Sequence, residues 1–148
     1  MAILYDTNAI LFTVRDKTGQ NQALFNPSGV AEFVSIVTLA ELESLAYRNG
    51  WGKPRLTDLY GLLSKVTVLD ISDPGLVYYY VQIDAYSQGK HKTKTLSQTA
   101  RNMGKNDLWI AATAAFHSFR LITTDKDFDH LNQVFVKVSY YDPGLLFR

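Results

Sequence analysis

Short apolar runs of strand length recur along the chain, and longer segments with helical spacing separate them. Residues 2–5, 33–37, 66–71 and 120–123 are rich in apolar and β-branched side chains, and residues 135–138 alternate as an edge strand does. Strands that alternate with helices favour parallel pairing. The pattern therefore predicts an α/β protein whose central, mainly parallel sheet of about five strands carries helices on both faces.

Helical spacing is clearest in two segments. Residues 108–119 are apolar on nearly every face, and their length and alanine content favour a buried helix that opens at Asp107. Thr38 precedes apolar positions at helical spacing that continue to about Gly50, and Glu41 completes a capping-box pattern with Thr38. Glu41 then has a purely structural interpretation as the partner of Thr38.

The remaining helices are predicted from weaker signals. Residues 56–63 follow Pro54 at helical spacing, and Asp73 with the proline after it opens a helix that continues to about Ala85. Residues 16–29 contain scattered charges, two glycines and a proline, and define no element except an optional short helix at 20–25.

Composition bounds the class of protein. A length of 148 residues with 47% hydrophobic content predicts one domain over residues 1–148. The chain has no cysteine, which excludes disulfides and thiolate metal sites. Its first residues lack a basic signal-peptide region, and no apolar run is long enough to span a bilayer. We therefore expect a cytoplasmic protein without a membrane partner.

The net charge of +1 gives no global indication of nucleic-acid binding, but the charges are unevenly distributed. The chain contains no acid between Asp84 and Asp107, and this stretch is rich in Gly, Ser, Thr and Gln. We call residues 89–105 the basic segment. A solvated loop is its simpler interpretation, and a loop that faces phosphates is the alternative. Its candidate phosphate-contacting residues are Lys90, Lys92, Lys94, Arg101 and Lys105.

Four acids stand where predicted strands end or helices begin. Asp6 and Asp125 directly follow strands, and Glu41 lies in the first turn after another, so we expect these three at the carboxyl edge of the sheet. Asp107 opens a helix that precedes a strand. We therefore expect it at the opposite edge, unless the helix runs back across the sheet after a long excursion or the basic segment carries its first turn to the site. Each acid alone is explained as a helix cap, worth about 1 kcal/mol.

If these acids share a pocket, the pocket requires a cation. Two carboxylates about 4 Å apart repel by roughly 4 kcal/mol at an effective dielectric constant of about 20. Oxygen ligands without cysteine or paired histidines favour a hard cation, Mg²⁺ or Mn²⁺. Such an ion activates water and neutralises charge that develops on a phosphate.

Four segments resemble, in order, the signature segments of PIN-domain ribonucleases, specifically the VapC-like toxins of toxin–antitoxin pairs. They are residues 6–8 (Asp-Thr-Asn), 38–42 (Thr-Leu-Ala-Glu-Leu), 106–114 (Asn-Asp-Leu-Trp-Ile-Ala-Ala-Thr-Ala) and 121–128 (Leu-Ile-Thr-Thr-Asp-Lys-Asp-Phe). The resemblance spans nearly the whole chain. It implies a three-layer PIN-like fold in which all four acids share one pocket.

The resemblance also implies roles for individual residues. By match to the family's motifs, the catalytic and metal-binding acids would be Asp6, Glu41, Asp107 and Asp125. Supporting positions would be Asn8, Thr123 and Asp127. The implied function is a magnesium-dependent endoribonuclease, with manganese as a substitute ion. Its implied partners are an RNA substrate contacted by the basic segment, an antitoxin protein and a second copy of the chain.

Two other functions are compatible with the same residues. One is a PIN-fold module that binds RNA or a protein with little catalysis, because a marginal metal affinity leaves no mark in a sequence. The other is phosphoryl chemistry on a small molecule, which we rank last because the chain lacks a glycine-rich phosphate loop. Magnesium-dependent cleavage of RNA distinguishes the nuclease from the binding module.

Overall fold

A computed structural model describes residues 1–148 and contains one five-stranded sheet. Its strands are β1 (Ile3–Tyr5), β2 (Glu32–Ser35), β3 (Thr67–Leu69), β4 (Arg120–Thr123) and β5 (Lys137–Tyr140). All pairings are parallel, and the order across the sheet is β3-β2-β1-β4-β5. The predicted fold class is confirmed.

Six α-helices connect these strands. They are α1 (Thr7–Arg15), α2 (Gln20–Phe25), α3 (Ile36–Arg48), α4 (Lys53–Leu63), α5 (Pro74–Ser87) and α6 (Lys105–His117). Two short 3₁₀-helices, Lys126–Leu131 and Pro143–Leu145, follow β4 and β5. The optional helix at 20–25 is present as α2. None of the helices combines the length and the apolar character needed to cross a membrane.

The central strand β1 is buried on both faces, as expected inside a covered parallel sheet. Ile3 and Tyr5 contribute to a core formed with α1 to α4, whereas Leu4 contributes to a second core formed with α5 and α6. This division follows from the two-residue repeat of a strand. The molecule therefore has three layers, with the sheet between two layers of helices.

Helix α3 begins earlier than the sequence pattern indicates. It starts at Ile36, directly after β2, and Ser35 caps it by accepting a hydrogen bond from the backbone nitrogen of Val37 at 3.1 Å. Thr38 is consequently a buried residue inside the helix, so the predicted capping box between Thr38 and Glu41 is wrong. Serine is a preferred cap residue, and its position at the strand end leaves Glu41 available for other contacts.

Helix α6 begins at the carboxyl edge of the sheet, so the expectation that Asp107 starts at the opposite edge is also wrong. The helix ends at His117, and Ser118, in the left-handed region at φ 58°, turns the chain into β4. A helix that leads directly into a strand ends at the amino edge of that strand. Because α6 crosses the sheet before it reaches that edge, its first turn lies at the carboxyl edge, beside Asp125.

Helices α5 and α6 pack antiparallel. At one end Gly75 lies against Phe116, and at the other end the Ser87 hydroxyl donates a hydrogen bond to the Met103 sulfur at 3.2 Å. The basic segment therefore leaves α5 and enters α6 at the same end of the helix pair. That end is the carboxyl edge of the sheet, where α6 begins with Asp107.

Candidate metal centre

Asp6 links the first strand to the first helix and is held from two sides. It follows β1 and caps α1, where its Oδ1 accepts a hydrogen bond from the backbone nitrogen of Ala9 at 2.8 Å. Its Oδ2 accepts a hydrogen bond from the hydroxyl of Thr123, the last residue of the neighbouring strand β4. The Thr123 oxygen in turn accepts from the backbone nitrogen of Asp125 at 2.9 Å.

Asp6 is only 3% exposed, and burial raises the pKa of its carboxyl group to about 7. The negative charges of Asp107 and Asp125 raise the pKa further, whereas the hydrogen bonds from Thr123 and Ala9 lower it. The direction of the shift shows that the loss of water and the neighbouring acids outweigh the two hydrogen bonds. The ionised form of Asp6 therefore needs a positive partner.

Three acids come together beside Asp6, and we call them the acid trio: Asp107, Asp125 and Asp127. One carboxylate oxygen of each lies within 4.8 Å of the others. Asp107 stands in the first turn of α6, and Asp125 caps the 3₁₀-helix by accepting from the backbone nitrogen of Asp127 at 2.9 Å. Burial, followed by the charges of Asp125, Glu41 and Asp127, raises the pKa of Asp107 to about 6.

Glu41 lies near enough to Asp107 for its charge to raise the pKa of Asp107, and Thr7 holds its carboxylate. Its Oε1 accepts a hydrogen bond from the Thr7 hydroxyl at 2.7 Å, and the Thr7 and Thr38 oxygens are 3.1 Å apart. Sequence patterns do not single out Thr7 as a partner of Glu41. The available signal is its position directly after Asp6, at the start of α1, where a polar side chain faces the same edge of the sheet.

The other predicted supporting residues differ in their placement. Thr123 contacts Asp6 directly, and Asp127 belongs to the acid trio. Asn8 lies exposed in the first turn of α1. Asp129 is exposed within the same 3₁₀-helix but outside the acid trio, which makes it a useful comparison residue.

The second half of the basic segment borders the acid trio. Residues 99–104 line a cavity of about 440 Å³ together with Asp107 and Asp127. Arg101 is half-buried in its wall, where its guanidinium donates to the backbone carbonyl of Asp127 at 3.4 Å. The backbone nitrogen of Arg101 donates to the Ser87 carbonyl at 2.8 Å, which ties this half of the segment to α5.

The first half of the basic segment is organised by His91. The ring nitrogen Nδ1 of His91 accepts a hydrogen bond from the backbone nitrogen of Lys94 at 3.0 Å. The ammonium of Lys94 lies 5.6 Å from the centre of the Phe135 ring. All four lysines of the basic segment are exposed: Lys90, Lys92, Lys94 and Lys105. Of the five predicted phosphate-contacting residues, Arg101 is therefore the one that lines a cavity together with Asp107 and Asp127.

The donor set fits a hard divalent cation. Every candidate ligand is a carboxylate oxygen, the ligand type that Mg²⁺ and Mn²⁺ prefer. Without a cation, burial and mutual repulsion raise the pKa values of Asp6 and Asp107. A divalent ion among these acids would offset both effects, and the mutual spacing of the acid trio is compatible with one shared ion.

The fold and this arrangement of acids match one protein family. The PIN domain model matches residues 3–134 of the chain, a range that contains Asp6, Glu41 and the acid trio. The chain belongs to the PIN-domain family. This match confirms the resemblance that the four sequence segments indicate.

Individual relatives are distant but cover most of this PIN-domain chain. Ribonuclease VapC2 of Haemophilus influenzae is 24% identical over 122 residues, which are 82% of this chain and 85% of the relative. The structure of VapBC2 from Rickettsia felis bound to a DNA fragment from their promoter gives a TM-score of 0.73 at 18% identity, over 96% of this chain and 100% of that chain. VapBC-5 from Mycobacterium tuberculosis, a member of the VapBC family of toxin–antitoxin systems, gives a TM-score of 0.62 at 22% identity, over 95% and 98%. The structural similarities establish a shared fold.

Proposed function

We propose that this PIN-domain protein is a divalent-metal-dependent endoribonuclease that hydrolyses RNA phosphodiester bonds. The observation that carries the proposal is the acid trio beside a buried Asp6 whose pKa is raised to about 7. Carboxylates this close to one another and to a buried acid repel when no cation is bound. A metal-dependent hydrolase is the chemistry that such a site serves.

Each acid has a position that suits a particular part in the proposed reaction. Asp107 and Asp125 would hold the ion, Asp127 would complete the group of carboxylates, and Asp6 would add negative charge from the sheet side. When bound, Mg²⁺ or Mn²⁺ would supply a water of lowered pKa and would neutralise charge developing on the phosphate. Glu41, held by Thr7, would add a further negative charge near Asp107. In this proposal hydrolysis leaves a 5′ phosphate and a 3′ hydroxyl.

RNA is the proposed substrate because positive side chains border the acids. Arg101 lies in the wall of the cavity beside Asp107, and the lysines of the basic segment are exposed: Lys90, Lys92, Lys94 and Lys105. The name of the relative from Haemophilus influenzae, a ribonuclease, supports the same substrate class. The phosphate backbone of RNA is the feature that such residues bind.

We further propose that the protein is the toxin of a toxin–antitoxin pair. Its structural neighbours include VapBC-5, a member of a toxin–antitoxin family. The proposed partners are an antitoxin protein that covers the acid pocket and a second copy of the chain. Co-purification with the product of an adjacent gene, followed by light scattering of the complex, tests both partners. Purification of a monomer with no bound protein would contradict this part of the proposal.

Cleavage of a structured RNA tests the nuclease proposal. Wild-type protein should cleave with Mg²⁺ and lose activity in excess EDTA. Asp6→Asn and Asp107→Asn should each reduce cleavage by about 100-fold or more, because even outer-shell changes at metal sites reduce activity by about 10- to 100-fold. Asp129→Asn removes an acid from the same 3₁₀-helix outside the acid trio and should retain wild-type activity.

Two outcomes would reject this proposal. The first is equal cleavage in EDTA, and the second is full activity of Asp6→Asn. RNA binding without magnesium-dependent cleavage would select the alternative, a PIN-fold module that binds RNA. The Asp129→Asn variant separates a specific loss of ligands from a general effect of one negative charge.

A further inference from the structure

A second cavity lies at the far end of α1, and four of its eight lining residues are positively charged. We call it the basic cavity; it has a volume of about 380 Å³, and its charged lining residues are Arg15, Lys17, Arg55, Arg148 and a single acid, Asp58. These cations come from the end of α1 and the turn that follows it, from the first turn of α4, and from position 148. Folding therefore brings together four positive charges against one negative charge.

Aromatic rings, and not acids, hold two of the guanidinium groups. Arg55 lies over Trp51 at 5.2 Å from the ring centre, and Arg148 lies over Phe12 at 5.6 Å. Stacking on a ring face orients a guanidinium while its N–H donors stay available at the edge. Both guanidiniums can therefore still donate hydrogen bonds to an anion.

The local backbone adds to the positive potential of the basic cavity. Helix α4 begins at Lys53 after Gly52, which has no side chain to cap it, and its first turn contains no acid. The positive end of the helix dipole consequently reinforces the side-chain charges. Phe12, Val14 and Pro54 supply an apolar wall to the same cavity. Cations with an apolar wall suit a phosphate group attached to an organic moiety better than a bare ion.

The basic cavity is separate from the candidate metal centre. Asp6 caps the start of α1 and Arg15 is its last residue, so a helix of nine residues, about 13 Å long, separates the two places. No residue of the acid trio lines the basic cavity. A ligand in this cavity would therefore be recognised independently of the metal.

We propose that the basic cavity binds a phosphate group of a nucleotide or of an RNA strand. The planar guanidiniums of Arg15 and Arg55 match the paired oxygens of a phosphate, and Lys17 adds a third positive donor. Where the phosphate belongs to RNA, the cavity extends the proposed function by holding the strand away from the metal centre. Where it belongs to a free nucleotide, the cavity is a separate ligand site.

Calorimetric titration at constant ionic strength tests the proposal, with excess EDTA to exclude any metal-dependent binding. The probes are inorganic phosphate, uridine monophosphate and single-stranded oligouridine. Wild-type protein should bind at least one of the three saturably. Arg15→Gln combined with Arg55→Gln should weaken that binding about tenfold or more, because each substitution removes charge-assisted hydrogen bonds.

The control is Lys137→Gln, which removes one exposed charge from the start of β5 and should leave binding within about twofold of wild type. Lys17→Gln is the matched single substitution within the cavity, and it decides the test if the double variant does not fold. Binding of uridine monophosphate identifies a nucleotide site, and binding of oligouridine alone identifies a strand site. The absence of saturable binding, or binding that the cavity variants leave unchanged, would overturn the inference. Because the titration contains no metal, its result is independent of the cleavage assay.

Discussion

At the scale of single residues, the decisive feature is a buried acid that the fold keeps in place. Asp6 accepts hydrogen bonds from Ala9 and Thr123, which lower its pKa. Burial and the neighbouring negative charges outweigh them and raise the pKa to about 7. A buried carboxyl in this state is unfavourable once ionised. In the proposed metal centre, a bound cation would offset this cost, which otherwise lowers the stability of the metal-free protein.

Replacement of this acid should stabilise the metal-free protein at alkaline pH. The folded state raises the pKa of Asp6 from 3.8 to about 7, so it binds more protons than the unfolded state between these values. Stability of the wild type should therefore fall as the pH rises from about 4 to 7. With EDTA at pH 8, Asp6→Asn should be more stable by about 1–3 kcal/mol, and the difference should vanish near pH 4.

Urea unfolding across this pH range measures the effect. Asp129→Asn, at an exposed position, provides the control and should follow the wild type. A less stable Asp6→Asn protein at pH 8 would contradict the proposed origin of the raised pKa.

Thr123 should set the pH dependence of activity through Asp6. Thr123→Val removes a hydrogen bond that lowers the pKa of Asp6, so the pKa should rise above about 7. The acidic limb of the pH–rate profile for magnesium-dependent cleavage should then move upward by about one pH unit. Thr123→Ser retains the hydroxyl and should preserve the wild-type profile. An unshifted profile for the valine variant would show that Asp6 does not control this limb.

Sequence patterns predict some of these residues better than others. Asp6 and Asp125 follow apolar strands, and strand ends are recognisable from local sequence. The capping-box spacing pairs Glu41 with Thr38 because that spacing is local, whereas the actual partner Thr7 is 34 positions away. Long-range hydrogen bonds of this kind leave no periodic signal, so the residue roles remain predictions from the family's motifs.

At the scale of elements, small residues allow α6 to pack inside the molecule. Ala111, Ala112, Ala114 and Ala115 are buried, and Gly75 of α5 lies close against Phe116. The close packing of the α5–α6 pair holds the first turn of α6, with Asp107, in position. The alanine content of this segment correctly predicts a buried helix, and the helix begins within two residues of Asp107.

Two glycine substitutions should have opposite effects on stability. A Cβ atom at Gly75 would lie 2.4 Å from a ring carbon of Phe116, so Gly75→Ala should destabilise the protein by about 1–3 kcal/mol. Gly61 lies inside α4, and a Cβ atom there would meet no atom within 4 Å, so Gly61→Ala should stabilise by about 0.5–1 kcal/mol. Urea unfolding of the two variants tests the packing of α5 on α6. Equal changes in the free energy of unfolding for the two variants would contradict the close packing of α5 on α6.

The position of Asp107 illustrates what topology adds to local sequence. The sequence pattern predicts the helix at the right residues but its first turn at the wrong edge of the sheet. A helix that enters a strand through a short turn must begin at that strand's far end, because its length spans the sheet. This rule brings Asp107 to Asp125 without any excursion of the basic segment.

At the scale of the whole molecule, charge is separated more strongly than a net value of +1 indicates. The acid trio and Glu41 lie at the carboxyl edge, with Arg101 in the adjoining wall. The basic cavity lies at the other end of α1. The basic segment is recognisable in the sequence because it is continuous, but the basic cavity combines residues from three separate parts of the chain.

Local sequence predicts the order of the strands only in part. The continuous apolar run of β1 is typical of a strand that is covered on both faces, and the alternation near β5 indicates an edge. The position of β3 at the opposite edge depends on long-range pairing with β2, which local sequence does not encode.

The basic segment should contribute to RNA binding through non-specific electrostatic contacts with phosphates. Lys90→Gln combined with Lys92→Gln should reduce the slope of log affinity against log salt by about 1.4, because each lost phosphate contact on a single strand contributes about 0.7. Filter binding of RNA over a range of salt concentrations, with EDTA present, gives this slope. Lys137→Gln is the control and should leave the slope unchanged. An unchanged slope in the double variant would remove these lysines from the RNA interface.

The most direct test of the proposed metal centre is the anomalous scattering of a crystal soaked with Mn²⁺. We expect a manganese peak bound by carboxylate oxygens of Asp107 and Asp125, and the loss of that peak in Asp107→Asn. The same crystals of Asp129→Asn should retain it. A wild-type crystal without manganese at the acid trio, or with manganese bound only elsewhere, would contradict the proposed metal centre.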